Sequence, residues 1–329
     1  MDRRPAPIYL DCDTGIDDAV ALAYLLALPT IDLVGVGTVS GNTSAAQAAT
    51  NTLDLLAVAG RPDIPVAVGQ HDWRAQPFNG GSPHVHGKNG VGDVPIPKAA
   101  GAPTPETAAE LLIRLSHANV GLHILAIGPL TNLALALDVD PTLPSRISRV
   151  TIMGGAALVA GNVSPVAEAN IWHDPEAAAI VVSSDWNVDI VPLDLTMDHV
   201  FEEHHQKQLL ASESHLSRYV GQMLEFYFDF YVQIYGRRCC ALHDPLTAAI
   251  ASGQAIPSYA PMVPVEVDKT NGPGRGQTIV DMRSQRAGPN DHEGVRTRVI
   301  FTVEGNFAEH LLETLKAADS RPMTPQPAN

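Results

Sequence analysis

Four carboxylates crowd into one short segment near the start of the chain, Asp11, Asp13, Asp17 and Asp18. The segment follows a predicted strand and runs into a predicted helix. The helix dipole alone explains Asp17 and Asp18, but not Asp11 and Asp13 at the strand end. Crowded carboxylates raise one another's pKa unless a cation neutralises them, and oxygen ligands favour a hard ion such as Ca²⁺ or Mg²⁺. The segment therefore predicts a metal site.

Five further polar segments lie where predicted strands end or where the strand–helix pattern breaks. They are Ser40-Gly41-Asn42, His84 to Gly90, Gly128 to Asn132, Gly161 to Asn170, and His243-Asp244-Pro245. The fourth carries Asn162, Glu168 and Asn170, which suit sugar hydroxyls because amides donate and accept while a carboxylate accepts. Thr131 and Asp244 also have a purely structural interpretation, as N-caps of the helices that follow them.

Two known families place acidic residues at the end of their first strand. Haloacid-dehalogenase-type phosphohydrolases have D-x-D-G-T there, and nucleoside hydrolases have D-x-D-P-G-x-D-D. This chain resembles the nucleoside hydrolases, with Thr14 in place of the usual Pro, and its Thr-Gly order is the reverse of the phosphohydrolase motif. Its later segments are similar to that family's G-N, H-G-x-x-G, G-P-L-T-N and G-N-x-T-P-x-A-E-x-N motifs. The resemblance runs in order from about Ile8 to Pro245.

The resemblance implies a Ca²⁺-dependent enzyme that hydrolyses the N-glycosidic bond of ribonucleosides to free base and ribose. The implied Ca²⁺ ligands are Asp13, Asp18, Asp244 and the backbone carbonyl of Thr131. Asp13 would also be the general base, because it would take the proton of the attacking water at the metal.

The same resemblance assigns residues to the ribose and to the base. The residues that would hold the ribose hydroxyls are Asp17, Asn42, Asn162, Glu168, Asn170 and Asp244. His243 would protonate the departing base, with His86 in the loop that closes over the substrate. Tyr231 and Tyr235 share a helix face and would either line the base pocket or pack in the core. Histidine at the leaving-group position favours uridine- and inosine-type substrates. Deoxynucleosides should react poorly, because a site built for a hydroxyl rejects its absence.

Alternating strands and helices must position these residues. The predicted strands cover residues 7–11, 31–39, 64–68, 122–127, 149–153 and 188–193, and the predicted helices 17–28, 44–59, 106–117, 131–137 and 175–183. Thr104 is the predicted N-cap of the helix at 106–117. We expect an α/β fold with a mostly parallel, doubly wound sheet and helices on both faces. Such sheets bind ligands beyond the carboxyl ends of their strands, where the polar segments lie.

The last third of the chain departs from this alternation. Residues 202–236 are predicted to be helical, and three extended stretches at 263–267, 277–282 and 297–303 predict a small antiparallel C-terminal addition before a last helix at 308–318. Residues 1–320 are thus expected to form one domain, and residues 321–329 a flexible tail. The irregular stretch 70–103 is typical of a functional lid.

Composition limits the partners of the protein. The net charge of −15, from 21 Lys+Arg against 36 Asp+Glu in 329 residues, argues against a nucleic acid or an anionic membrane and favours a neutral substrate or a cation. No signal-type or membrane-spanning apolar run is visible. The cysteines, Cys12, Cys239 and Cys240, fit neither a disulfide framework nor a zinc site, so a cytoplasmic protein is expected. A homodimer or homotetramer is implied by the resemblance.

Two alternatives stay open at this point. One is a phosphohydrolase of the haloacid-dehalogenase type, and the other is a catalytically silent nucleoside- or ribose-binding protein on the same scaffold. The full set of carboxylates together with His243 favours the enzyme, because binding alone needs no base that activates water.

Overall fold

The structure is a computed structural model that describes residues 5–317. The strands are β1 Ala6–Cys12, β2 Ile31–Thr38, β3 Val66–Val68, β4 Leu122–Ala126, β5 Ile147–Met153, β6 Val188–Val191, β7 Val200–Glu202, β8 Cys239–Ala241, β9 Pro257–Tyr259, β10 Val265–Val267, β11 Thr278–Val280, β12 Thr297–Val299 and β13 Thr302–Val303. The helices are α1 Ile16–Ala27, α2 Ala45–Val58, α3 Pro83–His86, α4 Ala108–Ala118, α5 Thr131–Val139, α6 Ala169–His173, α7 Pro175–Ser183, α8 Leu193–Thr196, α9 Glu203–Leu210, α10 His215–Tyr235, α11 His243–Ala251 and α12 Phe307–Ala317, with a 3₁₀ turn at Leu143–Arg146. The predicted tail at 321–329 lies outside the described residues.

A parallel seven-stranded sheet in the order β12-β6-β5-β4-β1-β2-β3 organises the molecule. The chain builds outward from β1 through β2 to β3, and then returns to β4 on the other side of β1. The neighbours β1 and β4 are therefore the point at which the strand order reverses, and ligands of such sheets bind beyond the carboxyl ends of strands at this point. The segments that follow β1 and β4 are Asp13 to Asp18 and Gly128 to Thr131, two of the predicted site segments.

Both faces of the sheet are covered by helices, as the sequence predicts. In β1, Ile8 and Leu10 belong to one core cluster and Tyr9 belongs to the other, because successive side chains of a strand point to opposite faces. Helices α1, α2, α10, α11 and α12 contribute to the first cluster, and α4, α5 and α7 to the second. Burial on both faces explains why the central strands are continuously apolar rather than alternating.

Two predictions about the C-terminal third need correction. Strand β12, expected in an antiparallel addition, pairs in parallel with β6 and forms the edge of the main sheet. Side chains also connect these strands, since the carboxylate of Asp189 in β6 accepts hydrogen bonds from Arg298 of β12 and from Arg149 of β5. The remaining short strands do pair antiparallel, as β10 with β11 and β13 with β9. The predicted helical stretch 202–236 is two helices, α9 and α10, and the second begins after the cap residue Ser214.

The N-cap predicted for α4 is also wrong. Thr107 rather than Thr104 caps the helix, in a capping box with Glu110 whose carboxylate accepts from the backbone N–H of Thr107. Thr104 instead extends the sheet through a parallel bridge to Ala67. Across residues 5–317, no helix combines the length and apolarity that crossing a membrane requires.

Candidate active site

A cavity of about 580 Å³ opens beyond the carboxyl ends of the central strands, beside α10 and the start of α11. The predicted site residues that line it are Asp17, Asn42, His86, Asn162, Glu168, Asn170, Tyr231, His243 and Asp244. Asp13, Asp18 and Thr131 lie outside the lining but are buried, and Tyr235 lies outside it on α10. The polar segments are thus brought together from six parts of the chain, as expected for residues that follow neighbouring parallel strands.

Three buried carboxylates form an oxygen-rich group next to the cavity. One carboxylate oxygen from each of Asp17, Asp18 and Asp244 lies within 4.8 Å of the others. Burial, followed by the charge of Asp17, raises the pKa of Asp18 to about 7, and burial with the same neighbour raises the pKa of Asp244 well above its usual value. Oδ1 of Asp17 is buried and has no hydrogen-bond partner within residues 5–317. An orphaned oxygen among crowded carboxylates fits a hard divalent cation, which would offset their repulsion.

Asp13 lies beside this group and is fixed by hydrogen bonds. Its Oδ2 accepts from the backbone N–H of Asn42 at 2.5 Å and its Oδ1 from Nδ2 of Asn42 at 3.2 Å, while Nδ2 also reaches Oδ2 of Asp18 at 3.1 Å. The backbone N–H of Asp13 donates to Oδ1 of Asp18 at 3.1 Å. Burial first, and the charge of Asp18 second, raise the pKa of Asp13. These hydrogen bonds hold the Asp13 carboxyl in one direction beside the acidic group, and such fixed geometry is the first requirement of a general base.

The purely structural interpretations of Thr131 and Asp244 fail. Helix α5 starts at Thr131 with Leu130 in the cap position, and the Thr131 hydroxyl donates to Oδ2 of Asp174 at 2.7 Å instead of capping the helix. Helix α11 starts at His243 with Leu242 in the cap position, so Asp244 sits inside the first turn. Its carboxylate is therefore free of the capping role and joins the acidic group.

Glu168, Asn170 and Asn162 present polar atoms along the opposite wall. Glu168 accepts from the backbone N–H groups of Gly155 and Asn170, at 3.0 and 2.8 Å, and burial raises its pKa to about 7. Nδ2 of Asn170 donates to the carbonyls of Ile127 and Met153, which turns the amide in a fixed direction. Oδ1 of Asn162 accepts from the backbone N–H of Ala169 at 3.0 Å. Rigid amide and carboxyl groups of this kind suit ligand hydroxyls.

A hydrogen-bonded aromatic chain forms the wall on the side of α10. His243 lies between Thr196 Oγ1 at Nδ1 and the Tyr231 hydroxyl at Nε2, each at 2.7 Å. Burial lowers the pKa of His243 to about 4, so its imidazole is neutral at neutral pH. One turn earlier, the Tyr227 hydroxyl donates to Oδ2 of Asp17 at 2.9 Å. The His86 ring lies 5.4 Å from the Tyr227 ring in a tilted arrangement, and its Nδ1 accepts from the backbone N–H of Ile16.

Several residues that line the cavity were not predicted from the sequence, and one predicted residue lies outside the lining. Tyr235 directs its hydroxyl to the carbonyl of Met197 and takes no part in the lining. Tyr227 was missed, although it precedes Tyr231 by the same four-residue spacing. Also missed were the lining residues Trp172, His173, Met197, Phe230 and Ile234, since apolar and aromatic residues of this kind look the same in sequence as core residues.

The chain is similar to known nucleoside hydrolases in both sequence and fold. The family profile for inosine-uridine preferring nucleoside hydrolases matches residues 8–308. Uridine nucleosidase 1 of Arabidopsis thaliana is 36% identical over 322 residues, which cover 96% of this chain and 93% of the relative. The inosine-uridine preferring nucleoside hydrolase of Leishmania major is 34% identical and covers 86% of this chain and 90% of its own length. A solved plant nucleoside hydrolase superimposes with a TM-score of 0.86 at 31% identity over 96% of this chain and all of the other.

Proposed function

Because the chain belongs to the inosine-uridine preferring nucleoside hydrolase family, we propose that it is a Ca²⁺-dependent hydrolase of uridine- and inosine-type ribonucleosides. Membership in this family makes the protein an enzyme that splits the N-glycosidic bond of ribonucleosides. The identity of the cation, the preferred bases and the roles of the residues are what we propose beyond family membership.

One observation carries the proposal. The acidic group of Asp17, Asp18 and Asp244, with its orphaned Asp17 Oδ1, lies at the cavity that also presents Asn42 and Asn170. Asp13, Asp18, Asp244 and the carbonyl of Thr131 would hold Ca²⁺. The bound ion would orient the ribose 2′ and 3′ hydroxyls and lower the pKa of the attacking water.

Asp13 is the proposed general base. The cleavage passes through an oxocarbenium-like ribose, so water must attack C1′ from below while the sugar is held in place. The two hydrogen bonds from Asn42 fix the direction of the Asp13 carboxylate, which would let it accept the proton of that water. Asp17, Asn42, Asn170 and Asp244 would hold the 2′ and 3′ hydroxyls, and Asn162 and Glu168 the 5′ hydroxyl.

Tyr231 and His243 are the proposed proton donors to the departing base. His243 is neutral, so only one of its ring nitrogens carries a proton. If Thr196 donates to Nδ1, then Nε2–H donates to the Tyr231 oxygen and frees the Tyr231 proton to point into the cavity. The pair would then stabilise the negative charge that the base gains as the bond breaks. His86 would support the substrate from the side of the loop at 70–103.

We also propose a cellular location and an oligomeric state for the protein. A cytoplasmic location fits three cysteines, Cys12, Cys239 and Cys240, that are all unpaired. We also propose a homodimer or homotetramer, by analogy with the family.

The test is release of reducing sugar from uridine, cytidine, inosine, adenosine and 2′-deoxyuridine, with and without a Ca²⁺ chelator, beside p-nitrophenyl phosphate. We expect chelator-sensitive release from uridine and inosine and at least a hundredfold less from deoxyuridine, since the hydroxyl-binding residues would be left unpaired. Sugar release that is unaffected by the chelator would show that the reaction does not need Ca²⁺. Turnover of the phosphate ester alone, or no turnover at all, would favour the phosphohydrolase or the silent binding protein.

A further inference from the structure

The buried carboxylate of Asp174 joins three segments that are far apart in sequence. Its Oδ1 accepts from the backbone N–H of Ala177 at 2.9 Å, which caps α7. Its Oδ2 accepts from Oγ1 of Thr131 at 2.7 Å and from the backbone N–H of Arg74 at 3.0 Å. Asp174 is only 1% exposed, so its second oxygen has these two contacts in place of water.

Helix capping alone does not explain this arrangement. Ser44, Thr107 and Ser214 cap α2, α4 and α10 with one side-chain oxygen that accepts from a backbone N–H. Asp174 caps α7 in the same way with Oδ1, yet it places a second charged oxygen against Thr131. A buried carboxylate is expensive to desolvate, so a cap that a serine could provide gives no reason for it.

The partner Thr131 is the residue whose backbone carbonyl is a proposed Ca²⁺ ligand. The turn that leads to it lies against Asp13, because a Cβ on Gly128 would come within 3.2 Å of Oδ1 of Asp13. On the other side, Nδ2 of Asn132 donates to both carboxylate oxygens of Asp11 and to the carbonyl of Thr38. The hydrogen bond from the Thr131 hydroxyl to Asp174 holds the side chain of Thr131 between these two contacts.

The other partner, Arg74, belongs to the segment that covers the cavity. Nε1 of the adjacent Trp73 donates to the carbonyl of Ser40 at 2.8 Å, and the Trp73 ring stacks on His173 at 4.5 Å. Further along the same segment, Asn79 and Ser82 line the cavity. One oxygen of Asp174 therefore holds both the turn of Thr131 and the beginning of this covering segment.

We propose that Asp174 is a positioning residue for the hydrolysis, acting through Thr131 to orient the carbonyl at the cation site and tying that site to the segment at Arg74. The inference rests on the proposed role of the Thr131 carbonyl as a Ca²⁺ ligand. Groups that orient metal ligands in this way commonly change metal affinity by about 10-fold to 100-fold when they are removed.

The experiment measures Ca²⁺ affinity by calorimetric titration of the metal-free protein, together with kcat and KM for uridine. Thr131→Val keeps the backbone carbonyl and the side-chain shape but removes the hydroxyl. Asp174→Asn keeps a good helix cap, since Asn and Asp cap about equally well, but turns an N–H₂ group towards the Arg74 N–H. Thr131→Ser restores the hydroxyl. Thr107→Ala is the matched control, because it removes a cap from α4 outside the cavity.

We expect Thr131→Val and Asp174→Asn to bind Ca²⁺ about 10-fold to 100-fold more weakly than the wild type, and the double variant to be little worse than either one. Thr131→Ser should bind Ca²⁺ more tightly than Thr131→Val, because it restores the hydroxyl. Thr107→Ala should keep wild-type Ca²⁺ affinity, even though it lowers the melting temperature. Unchanged Ca²⁺ affinity in Thr131→Val overturns the inference, and this variant remains informative if Asp174→Asn does not fold. A wild-type protein that binds no Ca²⁺ would instead reject the proposed cofactor.

Discussion

His243 is neutral at neutral pH, because burial lowers its pKa to about 4. We therefore propose that it acts on the base through hydrogen bonds rather than as a ready imidazolium. Its Nε2 already contacts the Tyr231 hydroxyl, so the two side chains form one donor system in which Tyr231 is the member on the pocket side of α10.

His243→Ala and Tyr231→Phe should each lower kcat for uridine by about 10²-fold to 10⁴-fold, the range typical of a lost proton donor. The same variants should hydrolyse p-nitrophenyl riboside nearly as fast as the wild type, because nitrophenolate leaves without protonation. The measurement is kcat for both substrates across the variants.

Tyr24→Phe is the control for this comparison, since it removes a similar tyrosine–histidine hydrogen bond, to His310, outside the cavity. It should leave both substrates unaffected. Equal losses on uridine and on the nitrophenyl riboside would mean that Tyr231 and His243 shape the site but do not assist the leaving group.

At the residue scale, the sequence predicts which side chains meet but not how each is oriented. Asp244 followed by Pro245 has the pattern of a helix cap, and only the position of the first turn shows that the carboxylate faces the acidic group instead. Tyr231 and Tyr235 are equivalent in sequence, yet one bonds to His243 and the other to the Met197 carbonyl. The direction of α10 across the sheet decides between them, and that direction is set by tertiary packing.

At the scale of elements, short turns after the strands hold the site in place. Gly41 follows β2, and a Cβ at this position would collide with Oδ2 of Asp13, with Cδ of Pro129 at 2.9 Å behind it. Gly15 is similar, since its Cβ would lie 2.7 Å from both Nδ2 of Asn42 and Nδ1 of His86. These glycines let the backbones after β1, β2 and β4 approach one another closely.

Gly41→Ala should therefore displace Asp13 and lower kcat for uridine by about 10²-fold or more, because a displacement of about 1 Å at a reacting group has that effect. The free energy of unfolding should fall by about 1–3 kcal/mol from overpacking. Steady-state kinetics and thermal unfolding measure the two effects.

Gly101→Ala is the matched control, because a Cβ there meets nothing within 4 Å. It should behave as wild type. Wild-type activity in Gly41→Ala would show that the Asp13 carboxylate tolerates a different position, which contradicts its role as an oriented base.

The order of the elements and the parallel sheet were largely predictable from the sequence, whereas the pairing of the C-terminal strand β12 was not. The alternating segments up to β6 predict a parallel doubly wound sheet, which is confirmed. The stretch at β12 is short and apolar like its neighbours β10 and β11, so local pattern placed it with them. Its parallel pairing with β6 brings Arg298 to Asp189, a contact between residues that are far apart in sequence and that no local pattern reveals.

At the scale of the whole molecule, the fold gathers negative charge at one place in the sheet. We propose that the predicted domain 1–320 is a single unit over its described part, residues 5–317, since both hydrophobic clusters pack on the two faces of one sheet. The chain carries a net charge of −15, and part of that charge is concentrated at the point where the strand order reverses. A cation at this point would offset the carboxylate repulsion that raises the pKa values of Asp13, Asp18 and Asp244.

We expect this arrangement to make binding of the proposed Ca²⁺ depend on pH. In the metal-free protein the raised pKa of Asp18, about 7, means that its carboxyl holds a proton below that pH, and a cation must displace it. Affinity should therefore be highest above pH 7 and fall as the pH is lowered, by about tenfold per pH unit for each proton displaced.

The most direct measurement titrates Ca²⁺ into metal-stripped protein and follows ribose release from uridine at pH 8 and at pH 6. We expect no ribose release before Ca²⁺ is added. At pH 8 the recovery of activity should saturate at one ion per chain, and at pH 6 more Ca²⁺ should be required. Full activity in the stripped protein, or a Ca²⁺ requirement that is the same at both pH values, would contradict the role assigned to the buried carboxylates.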